Sequence, residues 1–194
     1  MSHDETTKEK IIEVAIECFG ENGYDGTSMR MIAEKSGISK PAIYYYFPDK
    51  EQLFQGIFTY VMEKFRITLQ SIKDSNKNAV EKLKEIFLIR CFSVHQNIDT
   101  KRFVSRIFSN GVKNFLKLDH QKYFREHEKI ILEIIQQGID EGTFRSDINT
   151  RYFLYSLIGA ANLFTRDQMI SDSPPLNQEQ INALLAQLIT GVGK

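Results

Sequence analysis

Between Thr27 and Leu53 the chain reads TSMRMIAEKSGISKPAIYYYFPDKEQL, and few folds can accommodate that run. Its apolar residues recur at helical spacing, not in alternation. Thr27 is an N-cap candidate for a helix from about Ser28 to Lys35. Gly37 supplies a turn in which a positive φ costs little. Ser39 opens a second short helix reaching about Tyr45, and Pro41 sits in its first turn, where its missing N–H is not needed. Asp49, with Gln52 three residues on, caps another helix. Ile32, Ile38, Ile43 and Phe47 are the expected inward anchors. Two short helices around a tight glycine turn are the layout of a helix-turn-helix, whose second helix enters a DNA major groove.

Helical periodicity continues over nearly the whole chain, so an all-α fold is expected. A first helix is expected from near Thr6, where Thr6 and Glu9 match a capping box, with Gly23 as its left-handed C-cap. A long fourth helix is expected over residues 49–73. Five more are expected over Ala79–Gln96, Lys101–Ser109, Gln121–Glu141, Thr150–Met169 and Gln178–Val192, with breaks at Gly111, Gly142 and Pro174–Pro175. The expected organisation is an N-terminal three-helix helix-turn-helix DNA-binding domain, residues 1–48, and a C-terminal helical ligand-binding and dimerisation domain, residues 49–194. Residues 49–73 connect the two.

The formal net charge of 194 residues is zero, but it is unevenly spread. Residues 1–26 hold two Lys and seven Asp/Glu, a net of −5, whereas residues 27–50 hold four Lys/Arg and two Asp/Glu, a net of +2. The excess of cations falls on the segment that would face phosphates. Cys18 and Cys91 lack metal-ligand spacing and read as reduced thiols. His95, His120 and His127 are scattered, so neither metal nor cofactor is expected. No signal peptide and no transmembrane run is expected, which places the chain in the cytoplasm. The absence of GxGxxG, Walker-type, GxSxG and HExxH motifs argues against an enzyme.

In such a fold Lys40 is the one long cation of the reading helix and the first candidate for a guanine O6/N7 contact. Ser39 can donate to a phosphate, and Pro41 and Ala42 can touch a thymine methyl. Tyr44 and Tyr45 put hydroxyls at the groove wall. Lys50, in the first turn of its helix, and Thr27, Ser28 and Arg30 at the second helix are further phosphate candidates. Each has a plainer alternative. Thr27 can be only a cap, Arg30 can pair with Glu34, Lys50 can be a solvated lysine, and Tyr44–Tyr46 can be a half-buried aromatic cluster.

The elements Gly23-Tyr24, Gly26-Thr27-Ser28, Ile32-Ala33, Gly37-Ile38-Ser39-Lys40 and Ala42-Ile43-Tyr44-Tyr45-Tyr46-Phe47-Pro48-Asp49-Lys50-Glu51 closely resemble the TetR family of bacterial transcriptional regulators. The resemblance covers roughly residues 8–60. It implies DNA contacts at Thr27, Lys40, Tyr44, Tyr45 and Lys50. It also implies a homodimer on a double-stranded operator and a small-molecule effector bound among the C-terminal helices. For the pocket that the resemblance implies, the candidates are Phe65, Phe87, Phe92, Phe103, Phe108, Phe115 and Phe153, each of which plain core packing would equally explain, and their aromatic load points to an apolar or amphipathic effector. Ser156, Gly159, Ala160 and Leu163 form a small-residue face, and the last helix carries Leu184, Leu185 and Leu188. Two helices from each subunit would build a four-helix dimer interface, the alternative being that both faces are buried within one chain.

Overall fold

The computed structural model describes residues 3–96, 99–100, 103, 120–170 and 177–193. Among the described residues the chain is all-α. Its helices are α1 (His3–Gly26), α2 (Met29–Ser36), α3 (Lys40–Tyr46), α4 (Lys50–Asp74), α5 (Ala79–Gln96), α6 (His120–Asp140), α7 (Thr150–Ile170) and α8 (Gln178–Thr190). No strand accompanies them, only a lone bridge between Phe144 and Gly193. The helix expected over Lys101–Ser109 falls outside the described residues, apart from Phe103. Helix α1 starts at His3, before the Thr6 cap expected for it.

Two compact units divide the chain. The first holds residues 1–64 and 97–119, the second residues 65–96 and 120–194. The division falls inside α4, between Lys64 and Phe65. Helix α4 is long enough to serve two cores, and its apolar stripe changes neighbours along its length. Leu53, Phe54, Ile57 and Phe58 are buried in the first unit, Leu69 and Ile72 in the second.

In the first unit, α1 buries Ile11, Ile12, Ala15, Ile16, Cys18 and Phe19, which recur three and four residues apart. Ile32 and Ile43 are fully buried, Phe47 is nearly so, and Ile38 is half-buried. Ion pairs from Lys35 to Glu17 (3.2 Å) and Glu21 (3.3 Å) run from α2 to α1. In the second unit the core gathers Leu83, Ile86, Phe87, Ile131, Ile134, Ile135, Phe144, Leu154 and Leu157. Cys18 and Cys91 are both free thiols and both buried. Burial pushes the Cys18 thiol above its ordinary pKa, which keeps it protonated and unreactive.

Candidate nucleic-acid interface

The reading segment stands on three successive N-caps. Ser28 is extended (φ −124°, ψ 153°), and its side chain accepts from the Met31 amide at 3.1 Å. Ser28, not Thr27, is thus the N-cap of α2. Gly37 closes that helix at φ 68°, ψ 14°, with its amide on the Ala33 carbonyl at 3.1 Å. That left-handed conformation favours glycine. Ser39 caps α3 by accepting from Ala42 N at 3.4 Å, and Pro41 occupies the first turn. Asp49 caps α4, accepting from Gln52 N at 2.7 Å.

These caps present one exposed edge of α3. Lys40, Pro41, Tyr44 and Tyr45 are exposed and Ala42 is half-buried, whereas Ile43 is fully buried behind them. Tyr45 is 79% exposed, which is far from a core position for so large a ring. Lys40 Nζ lies 5.7 Å from the centre of the Tyr44 ring, so the cation and the phenol share one side of the helix. Tyr46 turns half inward and meets Tyr45 edge-on at 5.2 Å. The structure thus separates the three tyrosines, two facing out and one half-buried.

Three other candidates stand differently from the sequence expectation. Thr27 is 1% exposed, and its hydroxyl donates to Gly23 O at 2.7 Å and Cys18 O at 3.0 Å. The cause is Gly23, whose φ of 72° and ψ of −179° break the helical run of α1. The break turns the Thr27 amide to Tyr24 O, so Gly23 O takes the Thr27 hydroxyl in place of its i+4 amide, while Cys18 O is shared with Asn22 Nδ2 at 3.0 Å. Thr27 is therefore tied by its hydroxyl into the α1–α2 corner. Arg30 is held by Glu34 at 2.7 Å on an exposed surface, so the plainer alternative for it is the one realised. Its guanidinium must leave that carboxylate to reach DNA, at little cost for so exposed a pair.

Lys50 is the third. Its ammonium donates to Tyr24 O at 2.8 Å and Thr27 O at 3.0 Å, and it stands 4.3 Å from the centre of the Tyr24 ring. The residue is half-buried. Two of its three N–H donors clamp the start of α4 to the α1–α2 corner. The expected result of Lys50→Met is therefore a loss of about 2 kcal/mol of stability without any DNA present, since the two bonds share one half-buried ammonium and charge-assisted hydrogen bonding contributes ~1.5–3 kcal/mol. Urea unfolding of the free protein measures this. An unchanged midpoint would return Lys50 to a purely phosphate-facing role.

The remaining candidates, Phe103 apart, lie outside this unit or outside the described residues. Phe87 lines a small apolar cavity of ≈ 10 Å³, together with Leu83, Ile86, Arg90, Ile131, Leu157 and Ile158. That is about the room of one water-sized probe. Phe65 lies under the Arg90 guanidinium at 5.2 Å and meets His127 edge-on at 5.1 Å. Phe153 packs against Phe144 at 5.6 Å. Phe103 is not a pocket residue: it belongs to the first unit and packs on Phe54 (4.9 Å) and Phe19 (6.2 Å). Aromatic content alone does not tell which core a ring joins. The Phe92 side chain, Phe108 and Phe115 lie outside the described residues. A larger hollow, ≈ 430 Å³, is an open surface feature lined by Glu133, Gln136, Gln137, Asp140 and Glu141, whose polarity does not suit an apolar guest.

Of the expected dimer residues, Ser156, Gly159 and Leu163 are exposed, and Ala160, Leu184 and Leu188 are half-buried. Leu185 is not on that face: it is 3% exposed and, with Ile181, fills the core of its own subunit. An amphipathic stripe does not reveal whose core it enters. Two residues missed from the sequence, Tyr152 (68% exposed) and Tyr155 (51%), join Leu163 (59%) on the exposed side of α7. Their spacing of three, then eight, residues places them on one helix face, a signal available in the sequence had the tyrosines been counted as apolar.

Residues 11–57 match the domain described as "Bacterial regulatory proteins, tetR family". That match spans all three caps and the exposed edge of α3. The chain carries the DNA-binding domain of the tetR family over those residues. Over 194 residues it is 22% identical to the HTH-type transcriptional repressor KstR2 of Mycolicibacterium smegmatis, covering 98% of this chain and 92% of that one. Its fold is similar to the transcriptional regulator FadR from Bacillus subtilis, solved in complex with stearoyl-CoA, at a TM-score of 0.78 and 20% identity over 95% of this chain and 98% of that chain. It is also similar to the ketosteroid transcriptional regulator KstR2 of Mycobacterium tuberculosis, at a TM-score of 0.73 and 20% identity over 97% and 95% of the two chains. The matched domain is that of a helix-turn-helix transcriptional regulator, and none of the described helices is long and apolar enough to cross a membrane.

Proposed function

We propose that this regulator is a homodimeric repressor that reads a near-palindromic operator with α3 and releases it when a small apolar effector binds the second unit. The observation that carries the reading is the exposed edge of α3, where Lys40, Tyr44 and Tyr45 stand clear of a capped, packed frame. Each subunit places that edge in one major groove. Two half-sites lie about 34–36 Å apart, one helical turn. Lys40 reads a base edge, and Ser39, Tyr44 and Tyr45 hold phosphates on either side. The DNA partner puts the protein in the cytoplasm, and no catalytic step is assigned to it.

The effector enters between α5, α6 and α7, at the cavity lined by Leu83, Phe87, Arg90, Ile131 and Leu157. Stearoyl-CoA on the similar FadR and the ketosteroid regulator named among the similar folds support a long, largely apolar molecule. At ≈ 10 Å³ the cavity is closed to such a molecule, so binding selects a conformer in which these helices part. Helix α4 belongs to both units, which makes it the element whose position effector and DNA both bias. Coupling of about 1–3 kcal/mol is the usual scale.

Selection of duplex DNA from a random pool tests the reading, and a short inverted repeat is the expected product. On that sequence Lys40→Ala is expected to cost about 1–3 kcal/mol and to relax the preference at one base position in each half-site. Affinity and preference both unchanged would remove Lys40 as the reader.

A further inference from the structure

One cation stands in an otherwise apolar wall of the second unit. Leu83, Ile86, Phe87 and Arg90 recur on α5 at three- and four-residue spacing, and all four line the same small cavity. Ile131 of α6 and Leu157 of α7 line it too. Arg90 is thus the last position of a stripe whose first three are apolar, about 10 Å along the helix from Leu83. A long cation on an apolar surface ordinarily holds its head group in water. Here the Arg90 Nε is buried, and the guanidinium lies over the Phe65 ring at 5.2 Å. Burial pushes its pKa below the ordinary arginine value. Thr165 Oγ1 donates to the Arg90 carbonyl at 3.3 Å, so α7 is joined to α5 at this same level. Core packing alone does not call for a cation at this point. A buried arginine, even one with an ionic partner, can often be exchanged for an apolar residue of like volume without loss of stability.

We infer that Arg90 is the anion-binding end of the effector cavity, and that the effector is an amphipathic acid whose apolar chain lies along Leu83, Ile86 and Phe87 and whose carboxylate meets the Arg90 guanidinium. The inference rests on the effector cavity proposed above and names the chemical class of its ligand. A guanidinium has five N–H donors, so it can keep hydrogen bonds within the subunit and still offer two to a carboxylate. The apolar surroundings strengthen such a pairing. An alcohol or a thioester carbonyl at the same point brings no opposite charge. The order along α5, apolar and then cationic, also fixes the direction of the ligand, with its tail toward the start of the helix and its head toward the end.

Calorimetric titration of the full-length protein tests this. The probes are octanoate, dodecanoate and stearate, the alcohols of the same chain lengths, and stearoyl-CoA, each below its micellar concentration. The wild type is expected to bind the best-fitting acid about tenfold or more tighter than its alcohol. Arg90→Met, which keeps an apolar stem of similar length, is expected to melt no lower than the wild type and to bind acid and alcohol within about threefold of each other. Arg90→Lys keeps the charge without the two-donor edge and is expected to retain part of the preference. If Arg90→Met does not fold, Arg90→Gln carries the same prediction. Equal loss of acid and alcohol binding in Arg90→Met would mean a packing role and would overturn the inference. So would a wild type that binds acid and alcohol alike, or that binds stearoyl-CoA and none of the free acids. In each of these cases the effector cavity itself stands. A wild type that binds none of the probes overturns the cavity, and the inference with it.

Discussion

Replacing Gly138 by alanine is expected to destabilise the second unit by roughly 3 kcal/mol or more, at the upper end of what overpacking costs. A Cβ at Gly138 would lie 2.3 Å from both Cδ2 and Cε2 of Phe144 and 3.1 Å from the Ala79 Cβ. Phe144 has no room to retreat. It is fully buried, in edge contact with Phe153, and its own amide donates to the Gly138 carbonyl at 2.9 Å. The Thr143 amide donates to the same carbonyl at 2.9 Å, and Arg145 N donates to Val192 O at 2.9 Å. The corner after α6 is thus pinned on both sides of the ring that the new methyl would strike. Exchanging glycine for alanine within a helix ordinarily gains about 1 kcal/mol, so the clash must exceed that gain before any loss is seen. Urea unfolding of Gly138→Ala, Phe144→Ala and the double variant separates the causes. Phe144→Ala alone is expected to cost about 3–5 kcal/mol. If the clash is the mechanism, the double variant costs clearly less than the sum of the singles, because the ring that the methyl meets is gone. Additive losses would sink this account.

That corner illustrates how far the sequence can be read. A break at Gly142 is visible because glycine before a Thr-Phe pair punctuates a helical run, and Gly142 does take a φ of 74°. The role of Gly138 is not visible. Nothing local marks a helical glycine whose bare Cα is covered by a ring six residues on. The same division runs through the reading unit. Ser39, Pro41, Gly37 and Asp49 were legible because a cap, a first-turn proline and a left-handed turn are local chemistry. At the α1–α2 junction two hydroxyl residues stand side by side, and local rules cannot choose between them. The kink at Gly23 decides the matter by offering Thr27 two carbonyls, which leaves Ser28 to cap α2. Lys50 was assigned by its place in a first turn. Its partners lie 26 and 23 residues back along the chain, beyond any periodicity argument. The surroundings of Phe103 are hidden for a similar reason. Its apolar character was plain, but the unit it joins is set by a chain path that returns to α1.

A glutamate in place of Gly159 is expected to leave the subunit folded and to abolish the proposed dimer. Gly159 is exposed on α7, and a Cβ there would meet nothing within 4 Å in the subunit. Within the subunit the substitution therefore gains helix propensity and meets no obstacle. Around it Tyr152, Tyr155 and Leu163 expose more than half of their surfaces, an apolar cluster of the sort that marks a protein–protein contact. If two copies of α7 approach here, as the small Ser156, Gly159 and Ala160 permit, a carboxylate at 159 is buried without a partner on both sides of the twofold axis. Sedimentation should then find a monomer with unchanged helix content. Its affinity for a single half-site should match that of the wild type, whereas affinity for the full inverted repeat should fall by about a hundredfold or more, the gain that linkage of two sites confers. The two DNA measurements belong together. Loss on both would mean that the substitution had damaged the reading unit. Loss on the repeat alone places the twofold axis at α7. A protein that remains dimeric with Glu at 159 would move the interface elsewhere, and the exposed tyrosines would need another partner.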